Sequence, residues 1–316
     1  ALWRNIGAKE SILAMADITV RGAGIFGLSI AWACIQRGAR VQVVDPNGPA
    51  AGSSGGIVGA LAPHVPEKWN SKKAFQLDSL LMAQDFWRDV ETEGGMSAGY
   101  VRSGRLQPIA DDRALELART RGQTAETFWG HHATWEVVAA PDSAWAPSSP
   151  SGWLIRDSLS ALIHPRQACV ALVAALAIRG VEVQSDAPDQ GQVLWATGAA
   201  GLLAMNADHP RQIGSAEKGQ AALLAYDAKG APQLFSGGVH VIPHMDGTVA
   251  IGSTTERHFD NAASTDAQLD DLITAARLAV PALRNAPVID RWAGLRPRSR
   301  SRARMLGAWP DRGGHY

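Results

Sequence analysis

Gly22, Gly24 and Gly27 stand in the spacing G-x-G-x-x-G, with Ile25 and Phe26 between the last two. Residues of these types in this order let a backbone meet an anion. The first glycine permits a tight turn, the second lets the main chain approach a pyrophosphate, and the third allows a helix to pack closely on a strand. The unpaired amides of a helix start, and the dipole behind them, favour negative charge at that point. Asp45 comes 23 residues after Gly22. A carboxylate there accepts hydrogen bonds from a ribose 2′-hydroxyl and repels a 2′-phosphate. By type and spacing these residues form a dinucleotide cradle, an opening that NAD and FAD share.

The elements needed to position the cradle are legible around it. Ile18-Thr19-Val20 reads as a strand, Leu28 to Arg37 as a helix ended by Gly38, and Val41 to Val44 as a second strand ending at Asp45. A strand-helix-strand unit of this length predicts two parallel neighbours joined by a right-handed crossover. The same rhythm returns late: a helix from Pro165 to Arg179, then Val181 to Val183, then Val193 to Ala196 closing on Thr197-Gly198. Amphipathic helices are expected over 72–90 and 111–130, and the Pro/Ser/Ala-rich stretch 141–151 reads as a surface loop near a boundary. Between 219 and 255 short alternating runs separated by glycine turns predict an antiparallel sheet, followed by a helix over 265–280.

Composition narrows the classes. The 316 residues suffice for two structural units, and 30 basic against 30 acidic side chains leave no overall field for nucleic acid or an anionic membrane. No apolar run reaches the ~20 residues of a bilayer-spanning helix, and residues 1–14 lack a secretory pattern, so a cytoplasmic location is expected. Cys34 and Cys169 lie in apolar runs and read as small buried hydrophobes. No metal site is expected: cysteine spacing of the zinc type is absent, and His131 and His132 are adjacent rather than one helical turn apart.

Three further segments carry a family likeness. Ala51 to Pro63, Val193 to Gly198 and Trp292 to Pro297 resemble the FAD-dependent amino-acid oxidase superfamily that contains D-amino acid oxidase, sarcosine oxidase and glycine oxidase. The likeness runs from about Asp17 to about Asp311. It implies that the cofactor is FAD and that Ser53, Ser54 and Gly55 wrap its diphosphate. It also implies that Gly198 lies in a turn near the nucleotide, while Lys218-Gly219-Gln220 opens the substrate-domain sheet. In Trp292-Ala293-Gly294-Leu295-Arg296-Pro297 the resemblance makes Arg296 the anchor for a substrate carboxylate, a role suited to a guanidinium fork. Arg296 also belongs to a run with Arg291, Arg298, Arg300, Arg302 and Arg304, for which a solvated basic strip is the alternative reading. His240 falls where glycine oxidases carry a substrate-facing tyrosine, and a satisfied strand histidine is an equal reading. His64 reads as a loop-packing residue.

The resulting expectation is an α/β plus α+β chain, with a Rossmann-like FAD-binding domain on a parallel sheet interleaved with an antiparallel-sheet substrate domain. Residues 17–66, 152–212 and 290–316 are assigned to the first, 67–151 and 213–289 to the second, and 1–16 to an extension or tag. The implied activity is oxidation of the C–N bond of glycine, a D-amino acid or a similar small amine, with dioxygen as acceptor; a homo-oligomer is left open. One alternative is a flavin enzyme that processes a carboxymethylamine on a tRNA wobble uridine, its arginine strip contacting phosphates. Another follows from the end of the sequence at Gly313-Gly314-His315-Tyr316, where the family continues through a last strand and helix with a second arginine: an inactive, truncated FAD-binding protein.

Overall fold

The computed structural model describes residues 15–207, 209–302, 305–309 and 311–316, so the expected extension falls outside the described residues except for Met15 and Ala16, and Arg304 falls outside them too. In chain order the elements are β1 (Ile18–Arg21), α1 (Ile25–Ile35), β2 (Val41–Val44), β3 (Ala60–Leu61), α2 (Ser71–Gly94), β4 (Arg105–Pro108), α3 (Asp112–Trp129), β5 (Trp135–Ala139) and β6 (Trp153–Asp157). There follow β7 (Ala161–Leu162), α4 (Pro165–Ile178), β8 (Val183–Gln184), β9 (Gln192–Trp195), α5 (Gly198–Ala207), β10 (Gly214–Ala225), β11 (Gln233–Ser236), β12 (Val239–Pro243), β13 (Thr248–Gly252), α6 (Ala267–Ala279) and β14 (Val288–Ser299).

β2 is a continuous run of buried residues, as a strand covered on both faces must be. It lies in a four-stranded parallel sheet of order β8-β2-β1-β9. Helix α1 packs on this sheet, α4 on α1 and α2 on α4, in one core that includes Leu28, Ala31, Trp32, Trp87, Val90, Ala171, Leu172 and Ala175. Gly314 to Tyr316 run beside β9: the Val193 amide donates to Gly314 O at 2.9 Å, and the Tyr316 amide to Val193 O at 2.9 Å.

The second sheet has eight strands in the order β14-β10-β13-β12-β11-β4-β6-β5. It is antiparallel except where β4 runs parallel to β11, so it is mixed rather than purely antiparallel. Side chains alternate between its faces. One face, with Ala222, Leu224, Val241 and Ile251, packs on Leu269, Ile273 and Ala276 of α6. The other, with Ala221, Ile242, Ala250 and Trp292, packs on Ile57 and Val58. Asp266 caps α6 by accepting the Gln268 amide at 3.0 Å, and Asn70 and Asp111 cap α2 and α3 in the same way.

Two expected boundaries fall elsewhere. Trp153–Asp157 and Val288–Ser299 are strands of the eight-stranded sheet, although 152 and 290 were expected to begin pieces of the parallel-sheet unit. The 141–151 stretch is a loop, but it joins β5 to β6 within one sheet and so marks no boundary. Ladder pairing decides these memberships, and pairing partners distant in sequence leave no local pattern. Among the described residues no helix is long and apolar enough to cross a membrane.

Candidate functional site

β1 delivers the chain to Gly22, whose φ of +108° lies outside the range of ordinary L-residues. A Cβ here would stand 2.4 Å from Ala196 O, and one on Gly27 would stand 1.8 Å from Gly22 O. The backbone therefore folds onto itself at a distance only glycine allows. The first intrahelical bond of α1 runs from the Leu28 amide to Gly24 O at 3.0 Å, leaving the Phe26 and Gly27 amides at the helix end without intrahelical partners. The Phe26 side chain is 62% exposed. At the end of β2, Asp45 accepts the Ala23 amide at 2.8 Å through Oδ2 and the Asn47 amide at 2.9 Å through Oδ1.

Ser53–Gly55 form a single 3-10 turn that closes over the helix start. Ser54 Oγ accepts the Ile25 amide at 2.9 Å, and Gly24 can carry no Cβ without meeting this hydroxyl at 3.1 Å. Arg166 on α4 donates to Gly55 O at 2.7 Å and pairs with Asp290 at 3.0 Å, tying the turn to the start of β14. Cys169 sits beneath the turn beside Ser54, and burial pushes its thiol up to about 11. Gly198, at φ +59°, starts α5 directly after β9. Gly22, Gly24, Ile25, Gly27, Asp45, Ser54 and Gly55 are thus brought together, whereas Gly198 approaches through the Ala196–Gly22 contact one turn away.

The same loop continues onto the eight-stranded sheet. A Cβ on Gly56 would meet the Trp292 ring at 3.4 Å, and one on Gly252 would meet Val58 Cγ2 at 2.7 Å. Arg296 lies four residues beyond Trp292, on the same face by the two-residue period, opposite Glu217 in β10. Its Nη1 donates to Ser253 Oγ at 3.1 Å, and its Nη2 donates to Thr254 O at 2.8 Å and Thr255 Oγ1 at 2.9 Å. All three acceptors are neutral. Among the described residues, Arg296 has no carboxylate within ion-pair distance, whereas Arg291 pairs with Asp270, Arg298 with Glu217 and Arg166 with Asp290. Gly219 leaves room for the guanidinium: a Cβ there would stand 3.2 Å from Arg296 Nε.

The Ser253–Thr255 segment is held from behind by a network that the sequence reading did not find. Thr254 Oγ1 accepts the Gln220 amide at 2.8 Å and donates to Glu256 at 2.5 Å. Gln220 Nε2 donates to Glu256 and Asp266, and buried Lys218 contacts the same two acids at 3.4 and 3.0 Å. Hydrogen bonds from Gln220 and Lys218 hold the Asp266 carboxyl at about 2. Of these, the resemblance touched Lys218 and Gln220 but not Glu256 or Asp266.

His240 shares the face of Arg296 but sits three strands away on β12, its ring tilted against Phe235 with centroids 4.6 Å apart. Burial, then the charge of Arg105, lowers it to about 4, so it is a neutral imidazole at physiological pH. Its Nδ1 is buried with no hydrogen-bond partner among the described residues. Nearby Arg105 is itself committed to the fully buried Asp157 at 3.0 Å. His64 lies exposed in the loop leading to α2, its amide donating to Gln76 Oε1 at 2.7 Å.

The cradle suits the diphosphate of a dinucleotide, since its glycines leave no room for side chains and its helix end presents amides. Comparisons with known proteins agree. A family model described as FAD dependent oxidoreductase matches residues 17–316. The bifunctional protein ThiO/ThiG of Trichormus variabilis is 24% identical over 92% of this chain, and the match covers 47% of that protein, so this chain spans about half its length. The putative thiamine biosynthesis oxidoreductase ThiO of Rhizobium etli is 28% identical over 89% of this chain and 84% of its own. The crystal structure of glycine oxidase from Geobacillus kaustophilus superposes with a TM-score of 0.79 at 16% identity, covering 95% of this chain and 87% of that one, which establishes a shared fold.

Proposed function

Because this chain belongs to the FAD-dependent oxidoreductase family, we propose that it oxidises the C–N bond of glycine, a D-amino acid or a similar small amine, with dioxygen as the electron acceptor. In this reading the parallel-sheet unit holds the cofactor and the eight-stranded sheet receives the substrate. Gly22, Gly24 and Gly27, with the Phe26 and Gly27 amides and the Ser53–Gly55 turn, hold the diphosphate. Asp45 retains lone pairs for a ribose hydroxyl, and Gly198 flanks the nucleotide. When bound, FAD supplies a hydride acceptor, which no side chain can replace.

The observation that carries the substrate assignment is Arg296: a half-buried guanidinium clasped by three neutral oxygens, with no acid among the described residues to neutralise it. A carboxylate that takes the place of Thr255 Oγ1 on the guanidinium completes a two-pronged charge-assisted pair. Two points of attachment then fix the direction of the Cα–H bond, and orientation of this kind replaces much of the work of a catalytic base. Neutral His240 adds no charge that would compete for the carboxylate; it offers an uncharged polar edge on the same face. The overall change is loss of a hydride from carbon and a proton from nitrogen to give the imine, which water hydrolyses, while dioxygen takes two electrons and two protons to give peroxide.

The tRNA reading has less support, because Arg291 and Arg298 are engaged by Asp270 and Glu217 rather than held ready for phosphates. The test is anaerobic mixing of the flavin-loaded chain with glycine, sarcosine and D-alanine. Bleaching of the oxidised flavin band, with peroxide formed on admission of air, is expected; a panel that leaves the band unchanged refutes the reading.

A further inference from the structure

A cluster outside the proposed substrate face joins the two sheets. His164 immediately precedes α4, while His244 and Asp246 lie in the hairpin between β12 and β13. One ligand atom from each of the three lies within 4.8 Å of the others. His164 Nε2 is 3.9 Å from Asp246 Oδ2, and the two imidazole rings are 4.3 Å apart. The histidines are 80 positions apart in the sequence, and for that reason spacing alone predicted no metal site.

Hydrogen bonding fixes the state of His244. The Thr248 hydroxyl donates its one proton to Asp246 Oδ1 at 2.7 Å and lies 3.1 Å from His244 Nδ1. It therefore accepts the Nδ1 proton, so the neutral ring carries its lone pair on Nε2. That atom is buried without a partner among the described residues, in a side chain only 1% exposed. An acceptor stripped of water and left unmet is destabilising, and a Lewis acid satisfies it. Thr248 also supplies the outer hydrogen bond that orients a ligating imidazole, and it keeps Asp246 Oδ2 turned free.

We propose that His164, His244 and Asp246 bind a divalent cation of the zinc type and so clamp the β12–β13 hairpin to the start of α4. Two imidazole nitrogens and one carboxylate oxygen are a borderline donor set that suits Zn²⁺ over Ca²⁺ or Mg²⁺, with water in the fourth position. Tetrahedral bonds of ~2.0–2.2 Å require ligand atoms about 3.4 Å apart, so the cluster closes by roughly an ångström. His164 Nδ1 lies 3.5 Å from the Gln167 amide, at the limit of a hydrogen bond. Ligation through Nε2 moves the proton to Nδ1 and exchanges this weak cap for the metal bond.

The test is calorimetric titration of the full chain with ZnCl₂, together with its thermal unfolding with and without zinc. His164→Asn retains a helix-capping side chain and Asp246→Asn retains the turn, so each removes a ligand with little else. The unmodified chain is expected to take up one equivalent, with a rise in Tm on saturation. Each variant should weaken binding by roughly tenfold or more and abolish that rise, while a His131→Asn/His132→Asn variant behaves as the parent. X-ray absorption at the zinc edge of the unmodified, loaded chain should show two imidazoles, a readout that does not depend on the variants folding. Substoichiometric uptake, unchanged affinity in His164→Asn and Asp246→Asn, or a coordination shell lacking imidazole overturns the proposal.

Discussion

Replacing Arg296 tests the substrate assignment most directly. Arg296→Lys keeps the charge but loses the fork, and therefore one of the two charge-assisted bonds to a carboxylate. At about 1.5–3 kcal/mol for such a bond, kcat/KM for glycine should fall roughly 10- to 150-fold. Arg296→Met removes both bonds, for a loss on the order of 10²- to 10⁴-fold. The fold should tolerate either change, because the partners given up are one backbone carbonyl and two hydroxyls in a half-buried setting, each bond worth about 0.5–1.5 kcal/mol. The decisive comparison pairs glycine with methylamine, which has the same C–N bond and no carboxylate. The parent should reduce its flavin far faster with glycine; Arg296→Met should lose that preference while keeping its flavin and nearly all of its Tm. A Met variant that folds, holds flavin and still prefers glycine by the parental margin refutes the anchor.

Three other outcomes follow from the geometry. Gly27→Ala places a Cβ 1.8 Å from Gly22 O, so the purified variant should be colourless or unfolded, as judged by flavin absorbance and circular dichroism, whereas Gly313→Ala, where a Cβ meets nothing within 4 Å and the backbone is not left-handed, should keep its flavin. His240, lowered from 6.5 to about 4 by burial, binds its proton more readily in the unfolded chain; its contribution is present above pH 6.5 and is lost as pH falls towards 4. His240→Gln should therefore flatten the urea-midpoint decline between pH 7 and 4.5, by about 2 kcal/mol. Asp266 is depressed from 3.8 to about 2, so its contribution is present above pH 3.8 and is lost as pH falls through 2. Asp266→Asn should remove that portion of acid sensitivity, read from acid unfolding curves by tryptophan fluorescence.

What could be read in advance depended on how local the cause was. The β1–α1–β2 unit and its glycines are specified within 30 residues, by β-branched runs, a helical apolar face and turn chemistry, and they were legible. The long β10–β14 ladder was not: Gly294, Pro297 and the arginines of β14 break a strand-like pattern, and only pairing with Gly214 to Leu224 holds them extended. α5 was missed because Gly198-Ala199-Ala200-Gly201 looks like a turn. Arg166, which joins the Ser53–Gly55 turn to Asp290, and the Ser253–Thr255 clasp on Arg296 act through contacts 41 to 124 positions apart. No window along the chain contains such a signal. The resemblance supplied Arg296 itself but not the neutral oxygens that leave its charge available.

The ladder between β10 and β14 also limits how this protein can change. It pairs in unbroken register from Gly214 with Ser299 to Leu223 with Asp290, and its irregularity falls beyond that, between Leu223 and Leu224. A single residue gained or lost in either strand between Arg296 and that point would turn the guanidinium to the face covered by α6. Substitutions can accumulate along these strands, but length cannot. Over evolutionary time, insertions and deletions should be confined to connections such as 226–232 and 256–265, so that the reach of Arg296 stays constant while the surrounding sequence drifts.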